Sequence, residues 1–286
     1  MSLKIWINNK LVDEKDAVIS VFDHGLLYGD GVFEGIRVYN GKIFKEQEHL
    51  VRLYESADAI RLQIALNIEE MSKAMNETVK ANGIKQGYIR LIITRGIGTL
   101  GLDPFICKDA SIIIIADNVQ LYPKELYDKG LKVISSSVIR NHPMSLSPQI
   151  KSLNYLNNIM AKIEATDSGM LEAIMYNHEG YVAEATGDNI FIVKNGTIFT
   201  PPVSSGSLNG ITRATVIELS DELGYDVVEQ NLTRFDLYTA DEVFLTGTAA
   251  EVIGIVEIDG RKIGDGAPGE ITKELKDQFF KYASGE

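Results

Sequence analysis

The first 44 residues alternate short apolar runs with turn signals. The runs Val32–Tyr39 and Lys42–Phe44 flank Asn40-Gly41, and an Asn-Gly pair between two extended runs is typical of a tight β-hairpin. The pattern therefore predicts that the chain opens with antiparallel strands.

Apolar residues next recur every three or four positions in two segments. One segment runs from Leu50 to Ile60 and the other from Met71 to Val79, and Gly83 follows as a helix stop. We expect two amphipathic helices there. Two segments rich in β-branched residues then predict strands, at Tyr88–Thr94 and Ser111–Ala116.

The second half of the chain mixes helical and extended patterns without regular alternation. The predicted elements are, in order, the strand Val133–Ile139, the helix Leu153–Thr166, the strand Leu171–Tyr176, the hairpin Ile190–Thr200, the helix Ile211–Leu223, the strands Val227–Gln230 and Asp241–Leu245, and a C-terminal helix. A doubly wound parallel sheet would need a crossover helix after nearly every strand. The pattern therefore favours an α+β fold with largely antiparallel sheet.

A change in pattern marks a boundary near residue 120. Residues 119–130 contain a proline, scattered charges and little apolar periodicity, which is typical of a linker. We expect a small N-terminal domain over residues 1–118 and a larger domain over residues 131–286.

Acidic residues outnumber basic ones. The 286-residue chain has 40 Asp and Glu against 28 Lys and Arg, a formal net charge of −12. Such a charge repels nucleic-acid phosphates and anionic lipids, so we expect neither as a partner. The apolar runs are far shorter than the ~20 residues of a membrane-spanning helix, and Lys4–Lys10 is polar where a signal peptide would be apolar. We expect a cytoplasmic protein.

Residue types that bind metals or form disulfides are few and scattered. Cys107 is the single cysteine of the sequence, and the four histidines show none of the close spacings that chelate zinc. The sequence therefore predicts neither a disulfide nor a metal site.

Glycine-rich segments do not support a nucleotide site. Gly96-Ile-Gly-Thr-Leu-Gly101 matches G-x-G-x-x-G, but a dinucleotide fingerprint must open a helix, and Asp103-Pro104 and another predicted strand follow it instead. The glycines from Gly29 to Gly35 have the wrong spacing, and the sequence contains no P-loop motif. ATP and NAD chemistry is therefore not expected.

The start of the predicted helix Ile211–Leu223 is a better candidate anion site. Gly210 and Thr212 stand at the first turn, where backbone N–H groups and the helix dipole favour a phosphate. Taken alone, the segment is better explained as an ordinary helix start capped by Asn209 or Thr212.

Two charged residues stand in uncharged surroundings. Lys151 lies between Pro148 and Tyr155 with no other charge nearby in sequence, and removal from water favours the neutral, nucleophilic form of a lysine amine. Glu184 lies among small and apolar residues. Each residue alone is more simply explained as a solvated surface charge.

Taken together, seven segments resemble the fold-type IV pyridoxal-phosphate enzymes, and most closely the branched-chain amino acid aminotransferases. They match in order and approximate spacing from Trp6 to about Phe280. The segments are Tyr28–Arg37, His49–Leu53, Tyr88–Arg90, Ile150–Tyr155, Glu184–Phe191, Gly210–Arg213 and Gly247–Glu251. The resemblance implies a two-domain, D-amino acid aminotransferase-like α+β fold, with a small α/β domain and a larger mixed-sheet domain.

The resemblance also implies roles around pyridoxal 5′-phosphate. Lys151 corresponds to the Schiff-base lysine and the acid–base catalyst, and Glu184 to the carboxylate that keeps the pyridine nitrogen protonated. Tyr155 corresponds to the residue that donates to the ring's 3-oxygen. The residues implied to bind the phosphate are Arg52, Ile211, Thr212 and Thr248.

The implied reaction exchanges an amino group between branched-chain L-amino acids and 2-oxoglutarate, with ping-pong kinetics. Strand alternation places Phe33, Gly35, Arg37 and Tyr39 on one face of a strand, and Tyr88 with Arg90 on one face of another. By resemblance, Phe33, Tyr88 and Tyr122 line the apolar part of the substrate pocket, Arg90 attracts the distal carboxylate of glutamate, and Thr248, Ala249 and Ala250 contact the α-carboxylate. Arg37 is a further candidate substrate residue, but an arginine or an aromatic residue on a strand is more often at the edge of the core or on the surface, which leaves that alternative open for Arg37 and Tyr122. Tyr28 and Leu102 would come from a neighbouring subunit, which implies a homodimer or a larger dimer-based assembly.

Related activities on the same fold remain open. D-amino acid aminotransferases have an Arg-x-His pair in the loop where this chain has Arg95-Gly-Ile, which favours the branched-chain interpretation. An aminodeoxychorismate lyase shares the cofactor residues, and sequence distinguishes it poorly. A non-catalytic binding protein is disfavoured because Lys151, Glu184, Tyr155 and Arg52 are all present.

Overall fold

The computed structural model describes residues 2–118 and 122–285. These residues fall into two compact units, one with residues 2–118 and Ile150–Asn154, the other with residues 122–149 and 155–285. The domain limits drawn from the sequence, at 1–118 and 131–286, stay a prediction. Residues 119–121 of the predicted linker lie outside the described residues, and its later part contains the helix α4 (Leu126–Lys129).

The first unit has a six-stranded sheet in which every pairing is antiparallel. The spatial order is β2-β1-β6-β5-β3-β4. The strands are β1 (Lys4–Ile7), β2 (Lys10–Asp13), β3 (Gly31–Tyr39), β4 (Lys42–Ile43), β5 (Gly87–Thr94) and β6 (Ser111–Asp117), and the helices are α1 (His24–Tyr28), α2 (Glu46–Ala59) and α3 (Ile68–Ala81). The predicted hairpin, helices and strands of this region are confirmed.

One face of this sheet forms the core of the first unit. Val32, Ile36 and Val38 alternate along β3 and lie in a fully buried cluster with residues of α2 and α3, among them Leu53 and Met71. The alternation leaves Phe33, Gly35 and Arg37 on the opposite face, so one strand serves both the core and the candidate site.

The second unit has a nine-stranded sheet of mixed direction. Its order is β12-β11-β10-β13-β14-β7-β8-β9, with β15 paired to β14. The strands are β7 (Leu131–Ser135), β8 (Glu172–Tyr176), β9 (Val182–Ala185), β10 (Asn189–Lys194), β11 (Thr197–Thr200), β12 (Val227–Glu229), β13 (Glu242–Gly247), β14 (Glu251–Ile258) and β15 (Arg261–Lys262), and the further helices are α5 (Leu156–Asp167), α6 (Ile211–Glu222), α7 (Arg234–Thr239) and α8 (Glu270–Ser284).

Parallel pairing is more frequent in this second sheet than the sequence pattern suggested. β7 runs parallel to both β14 and β8, and β11 runs parallel to β12. Long-range pairing of this kind leaves no local sequence signal, because it depends on which distant strand arrives beside another. The α+β class itself is confirmed.

Helix α5 exposes its large apolar side chains. Leu156, Met160 and Ile163 recur at helical spacing, and they are 68%, 47% and 45% exposed in the single chain. Its buried side is formed instead by small and polar residues, Asn158, Ala161 and Ala165. In the described ranges, no helix is long and apolar enough to cross a membrane.

Candidate active site

Lys151 is held in the first unit by backbone contacts with β3 and α2. Its carbonyl accepts a hydrogen bond from the Phe33 N–H at 2.9 Å, and its own N–H donates to Ser56 Oγ at 3.2 Å. The next residue pairs with Val32 as an isolated bridge. The Lys151 Nζ lies 4.7 Å from the centroid of the Phe33 ring, so the amine lies on the Phe33 side of the strand.

The same side brings together the predicted substrate residues of β3 and β5. The Arg90 guanidinium lies 4.7 Å from the Phe33 ring centroid and 5.6 Å from the Tyr88 ring centroid. Arg37 lies opposite Tyr88 in the strand register, and its Nε donates to Tyr39 Oη at 3.4 Å. Aromatic rings and guanidinium groups thus occupy one face, a combination suited to apolar and anionic substrate groups alike.

Gly35 lies directly beneath the Tyr88 hydroxyl. A Cβ at Gly35 would lie 1.8 Å from Tyr88 Oη and 2.6 Å from its Cζ. The space that the glycine leaves is therefore occupied by Tyr88 itself, and any larger residue would displace that ring.

Arg52 is fixed by a buried carboxylate that the sequence reasoning did not single out. Glu34 accepts from Arg52 Nε and Nη2, both at 2.8 Å, and from His49 Nδ1 at 2.7 Å. Burial alone would raise the pKa of Glu34, but Arg52 and His49 more than offset it, so the pKa lies at about 2. Burial lowers the pKa of His49, with a contribution from the charges of Arg52 and Lys151. The network is therefore an ionised carboxylate between a cation and a neutral imidazole.

Tyr28 and Leu102 lie in the first unit near its exposed loops. Tyr28 ends α1, and its hydroxyl donates to the Leu100 carbonyl. The Leu102 side chain is 78% exposed. Neither residue is buried in its own chain, as a contribution to a neighbouring subunit requires.

In the second unit, Glu184 is buried on β9 and is not the surface charge that it resembles in isolation. Arg140 Nε donates to its Oε1 at 2.7 Å, and the Leu208 N–H donates to its Oε2 at 2.9 Å. Both side chains of the ion pair are 7% exposed. Arg140 was missed from the sequence, because it lies in a loop 44 residues away with no local motif.

Helix α6 begins without a side-chain cap. Its N-cap residue is Gly210, and no acidic residue stands in the first turn, so the cap expected from Asn209 or Thr212 is wrong. Thr212 is buried and Ile211 is half-buried. A Cβ at Gly210 would lie 2.0 Å from Asn189 Oδ1, so glycine is required for this close approach. The first-turn N–H groups thus receive no hydrogen bond from a capping side chain, which is the arrangement in which a helix start can accept an anion.

The segment 248–250 is a tight hairpin loop. Gly247 pairs with Glu251 across β13 and β14, and Glu251 adopts a left-handed conformation at φ 58°. Thr248 and Ala249 are half-buried, whereas Ala250 is buried. Three successive backbone N–H groups therefore lie in one short turn.

Tyr122 lies in a buried acidic network of the second unit. Its hydroxyl is 3.3 Å from Glu172 Oε2 and 3.2 Å from Asp188 Oδ2, and burial raises its pKa. The Asp188 carboxylate lies against Gly247, where a Cβ would come within 1.9 Å of Oδ1. Tyr122 is 2% exposed, so its contact with substrate stays a prediction.

Tyr155 stands at the start of α5. It is the N-cap residue of that helix and is half-buried. As for metal ligands, the described part of the chain contains no cluster of three or more His, Cys, Asp or Glu side chains able to bind an ion.

Comparison with known proteins assigns the family. A family model described as amino-transferase class IV matches residues 31–258. The chain belongs to the class IV aminotransferases. A Methanocaldococcus jannaschii protein with the provisional name branched-chain-amino-acid aminotransferase is 53% identical over 97% of this chain and 95% of its own length.

Solved structures of class IV aminotransferases match the whole fold. The Escherichia coli branched-chain amino acid aminotransferase has a TM-score of 0.97 at 37% identity, covering 100% of this chain and 96% of that chain. The Thermobaculum terrenum branched-chain amino acid aminotransferase, solved in its PLP form, has a TM-score of 0.90 at 33% identity, covering 99% and 94%. The fold-type IV assignment is confirmed.

Proposed function

We propose that this class IV aminotransferase transfers the amino group of L-leucine, L-isoleucine or L-valine to 2-oxoglutarate. The products are a branched-chain 2-oxo acid and L-glutamate. The observation that carries the proposal is full-length similarity, since proteins that bear the branched-chain aminotransferase name match 97% to 100% of this chain.

The donor set of this chain fits pyridoxal 5′-phosphate, which supplies an electrophilic aldehyde carbon and an electron-accepting ring. Among the described residues, the buried hydroxyls of Ser207 and Thr246 have no hydrogen-bond partner. Ser207 directly precedes Leu208, whose N–H contacts Glu184, and Thr246 lies two residues before Thr248. Unpartnered buried donors beside an uncapped helix start are what a bound polar group would satisfy.

The proposed phosphate ligands are the Arg52 guanidinium, the N–H groups of Ile211 and Thr212, and the hydroxyls of Thr212 and Thr248. A charged fork and a helix terminus are complementary in chemistry, because one supplies net charge and the other directed N–H donors. The assignment of all four residues to one phosphate rests on family membership.

The proposed ring contacts are Glu184 and Tyr155. The Glu184 carboxylate is fixed by Arg140 and the Leu208 N–H, so it is oriented before a ligand arrives. It would accept a hydrogen bond from the ring nitrogen and keep that nitrogen protonated, while Tyr155 would donate to the 3-oxygen.

Lys151 is the proposed catalytic residue. Its Nζ would hold the cofactor through the aldehyde carbon, with water as the leaving group, and the same amine would be the group that takes up and returns the proton at the substrate α-carbon. The hydrogen bonds of the Lys151 backbone to Phe33 and Ser56 fix the position from which its side chain extends.

The proposed substrate residues combine apolar and cationic chemistry. Phe33, Tyr88 and Tyr122 would contact a branched side chain, and Arg90 would attract the distal carboxylate of glutamate. Arg37, on the same face of β3 as Phe33, is a further proposed substrate residue. The turn from Thr248 through Ala249 to Ala250 would offer its N–H groups to the α-carboxylate, which both substrates share.

We also propose a homodimer, or a larger assembly of dimers, in which Tyr28 and Leu102 reach the site of a neighbouring subunit. The exposed apolar face of α5 supports association, since contiguous exposed apolar patches often mark protein–protein contacts. A cytoplasmic location stays a prediction.

A substrate panel tests the proposed activity. The purified holoenzyme would be assayed with L-leucine, L-isoleucine, L-valine and D-alanine as donors to 2-oxoglutarate, and separately with aminodeoxychorismate. We expect the three L-amino acids to be turned over fastest. Faster turnover of D-alanine, or pyruvate release from aminodeoxychorismate, would replace the proposal with one of the two related activities.

A further inference from the structure

The Glu34 carboxylate contacts a side chain of the proposed phosphate site but lies on the opposite face of β3 from the substrate residues. It is 0% exposed and shares its face with Val32 and Ile36 in the apolar core. A charge in such a position is costly unless it is paired. Its partners His49 and Arg52 stand one helical turn apart on α2, so the carboxylate joins strand and helix.

Stability of the fold does not by itself explain this network. Leu50 and Leu53 already pack α2 onto the sheet with no exposed surface. A buried ion pair is seldom more stabilising than apolar residues of similar size. What an ion pair does provide here is direction, because a bidentate carboxylate fixes the plane of a guanidinium.

The bidentate contact with Glu34 uses one edge of the Arg52 guanidinium. Its Nε–H and one Nη2–H point to Glu34, so the Nη1 edge is directed away from that carboxylate by the planar geometry of the group. The Arg52 side chain is 11% exposed, whereas Glu34 is fully buried. The guanidinium is therefore held in a fixed orientation, with its Nη1 edge on the side away from the buried carboxylate.

The same helix also positions Lys151. Ser56 stands four residues after Arg52 on α2, and its Oγ accepts the Lys151 N–H at 3.2 Å. Arg52 and Ser56 thus lie on one face of the helix. Leu50 and Leu53 hold this helix against the sheet without Glu34, so loss of the carboxylate should leave the Lys151 backbone in place.

We infer that Glu34 is a positioning residue that orients the Arg52 guanidinium for the cofactor phosphate. The inference rests on the proposed function, in which Arg52 binds that phosphate. Glu34 itself contacts neither cofactor nor substrate in this account. Its effect is confined to the phosphate end, because its hydrogen bonds reach Arg52 and His49 and not Lys151.

The test compares two ligands that differ only in the phosphate. Holoenzyme is converted to apoenzyme, and the dissociation constants of pyridoxal 5′-phosphate and of pyridoxal are measured by absorbance for the parent, Glu34→Gln, Arg52→Ala and the double variant. We expect Glu34→Gln to weaken pyridoxal 5′-phosphate binding at least about tenfold and to change pyridoxal binding less than about twofold. The double variant should bind no more weakly than Arg52→Ala alone, since Glu34 acts through Arg52.

Two further variants keep the outcome decisive. Glu34→Asp retains the charge but shortens the side chain. It therefore tests the bidentate contact with Arg52 even if the neutral variant folds poorly. His49→Gln removes the other partner of Glu34, and we expect it to lower the melting temperature while leaving the ratio of the two dissociation constants unchanged.

Each result bears on one claim. Equal weakening of both ligands by Glu34→Gln and Glu34→Asp, or no weakening of either, would overturn the positioning role. If Arg52→Ala itself leaves pyridoxal 5′-phosphate binding unchanged, the phosphate role of Arg52 in the proposed function fails first. The two failures are therefore distinguishable.

Discussion

Arg140 donates to the Glu184 carboxylate at 2.7 Å, and both side chains are buried. The pair stands between a loop and β9, and the Leu208 N–H completes the carboxylate's second hydrogen bond. A buried carboxylate that is held on both oxygens cannot rotate freely. We interpret this arrangement as the means by which the second unit presents one fixed negative charge to the proposed ring nitrogen.

Loss of Arg140 should therefore lower the stability of the protein as well as its affinity for cofactor. Arg140→Gln leaves Glu184 buried without its cation, which typically costs about 3 to 5 kcal/mol. We expect a lower free energy of unfolding in urea and a lower affinity for cofactor. Arg140→Gln combined with Glu184→Gln should recover much of the stability but not the activity. Equal stability of parent and Arg140→Gln would show that the pair is not energetically coupled.

The buried acidic network should give stability a distinctive pH dependence. Burial, with repulsion from Glu172, raises the pKa of Asp188 from 3.8 to about 7. The folded protein then holds a proton that the unfolded chain has released. The associated stability is fully present below pH 3.8 and is lost as the pH rises through about 7.

Asp188→Asn removes this titration. Between about pH 5 and pH 8, the free energy of unfolding should fall less in the variant than in the parent, by about 1 to 3 kcal/mol. Urea unfolding at several pH values measures the difference, with Asp167→Asn on the surface as the control. Parallel pH curves for parent and Asp188→Asn would contradict the assignment of a proton to Asp188.

Gly35 should be intolerant of a methyl group. Gly35→Ala places a Cβ where the Tyr88 hydroxyl lies, so the ring must swing away from its position beside Arg90. We expect kcat/KM for L-leucine to fall at least about tenfold, with partial recovery when Tyr88→Phe removes the clashing oxygen. Gly187→Ala, which meets nothing within 4 Å, is the matched control. Unchanged kinetics for Gly35→Ala would show that catalysis does not depend on the Tyr88 ring in this position.

Charge on the exposed face of α5 should disrupt the proposed assembly. Leu156→Glu with Met160→Glu places two carboxylates in a contact that would otherwise exclude water. We expect light scattering on a sizing column to show a smaller species than the parent. Phe235→Glu changes an equally exposed apolar residue, 71% exposed on α7, and should not alter the mass. An unchanged mass for the α5 variant would exclude this face as the interface.

Local pattern predicted most elements of both units. The Asn40-Gly41 turn, the helix that begins at Ile211 and the strand that ends at Thr94 each carry their signal in adjacent residues, and the structure has them where they were expected. The class IV motifs likewise lie in contiguous stretches, so the family is recognisable from the sequence alone.

Contacts between residues far apart in the sequence could not be predicted from local pattern. The parallel pairing of β7 with β14 joins residues more than 120 positions apart, and Arg140 reaches Glu184 across 44 residues. Glu34 was the one missed residue with a readable signal, because a carboxylate between Val32 and Ile36 falls on the apolar face of β3. A charge on a core face requires a partner, and the helix that packs on this face, α2, supplies it with Arg52 and His49.

The most direct test of the account is the site of covalent attachment. Purified holoenzyme is reduced with labelled borohydride, digested and mapped by mass spectrometry, with Lys162 as an internal comparison because it lies near the Glu172 carboxylate in the second unit. The account predicts loss of the visible absorption and label on the peptide that contains Lys151. Label on another lysine, or no label with the absorption intact, would contradict it.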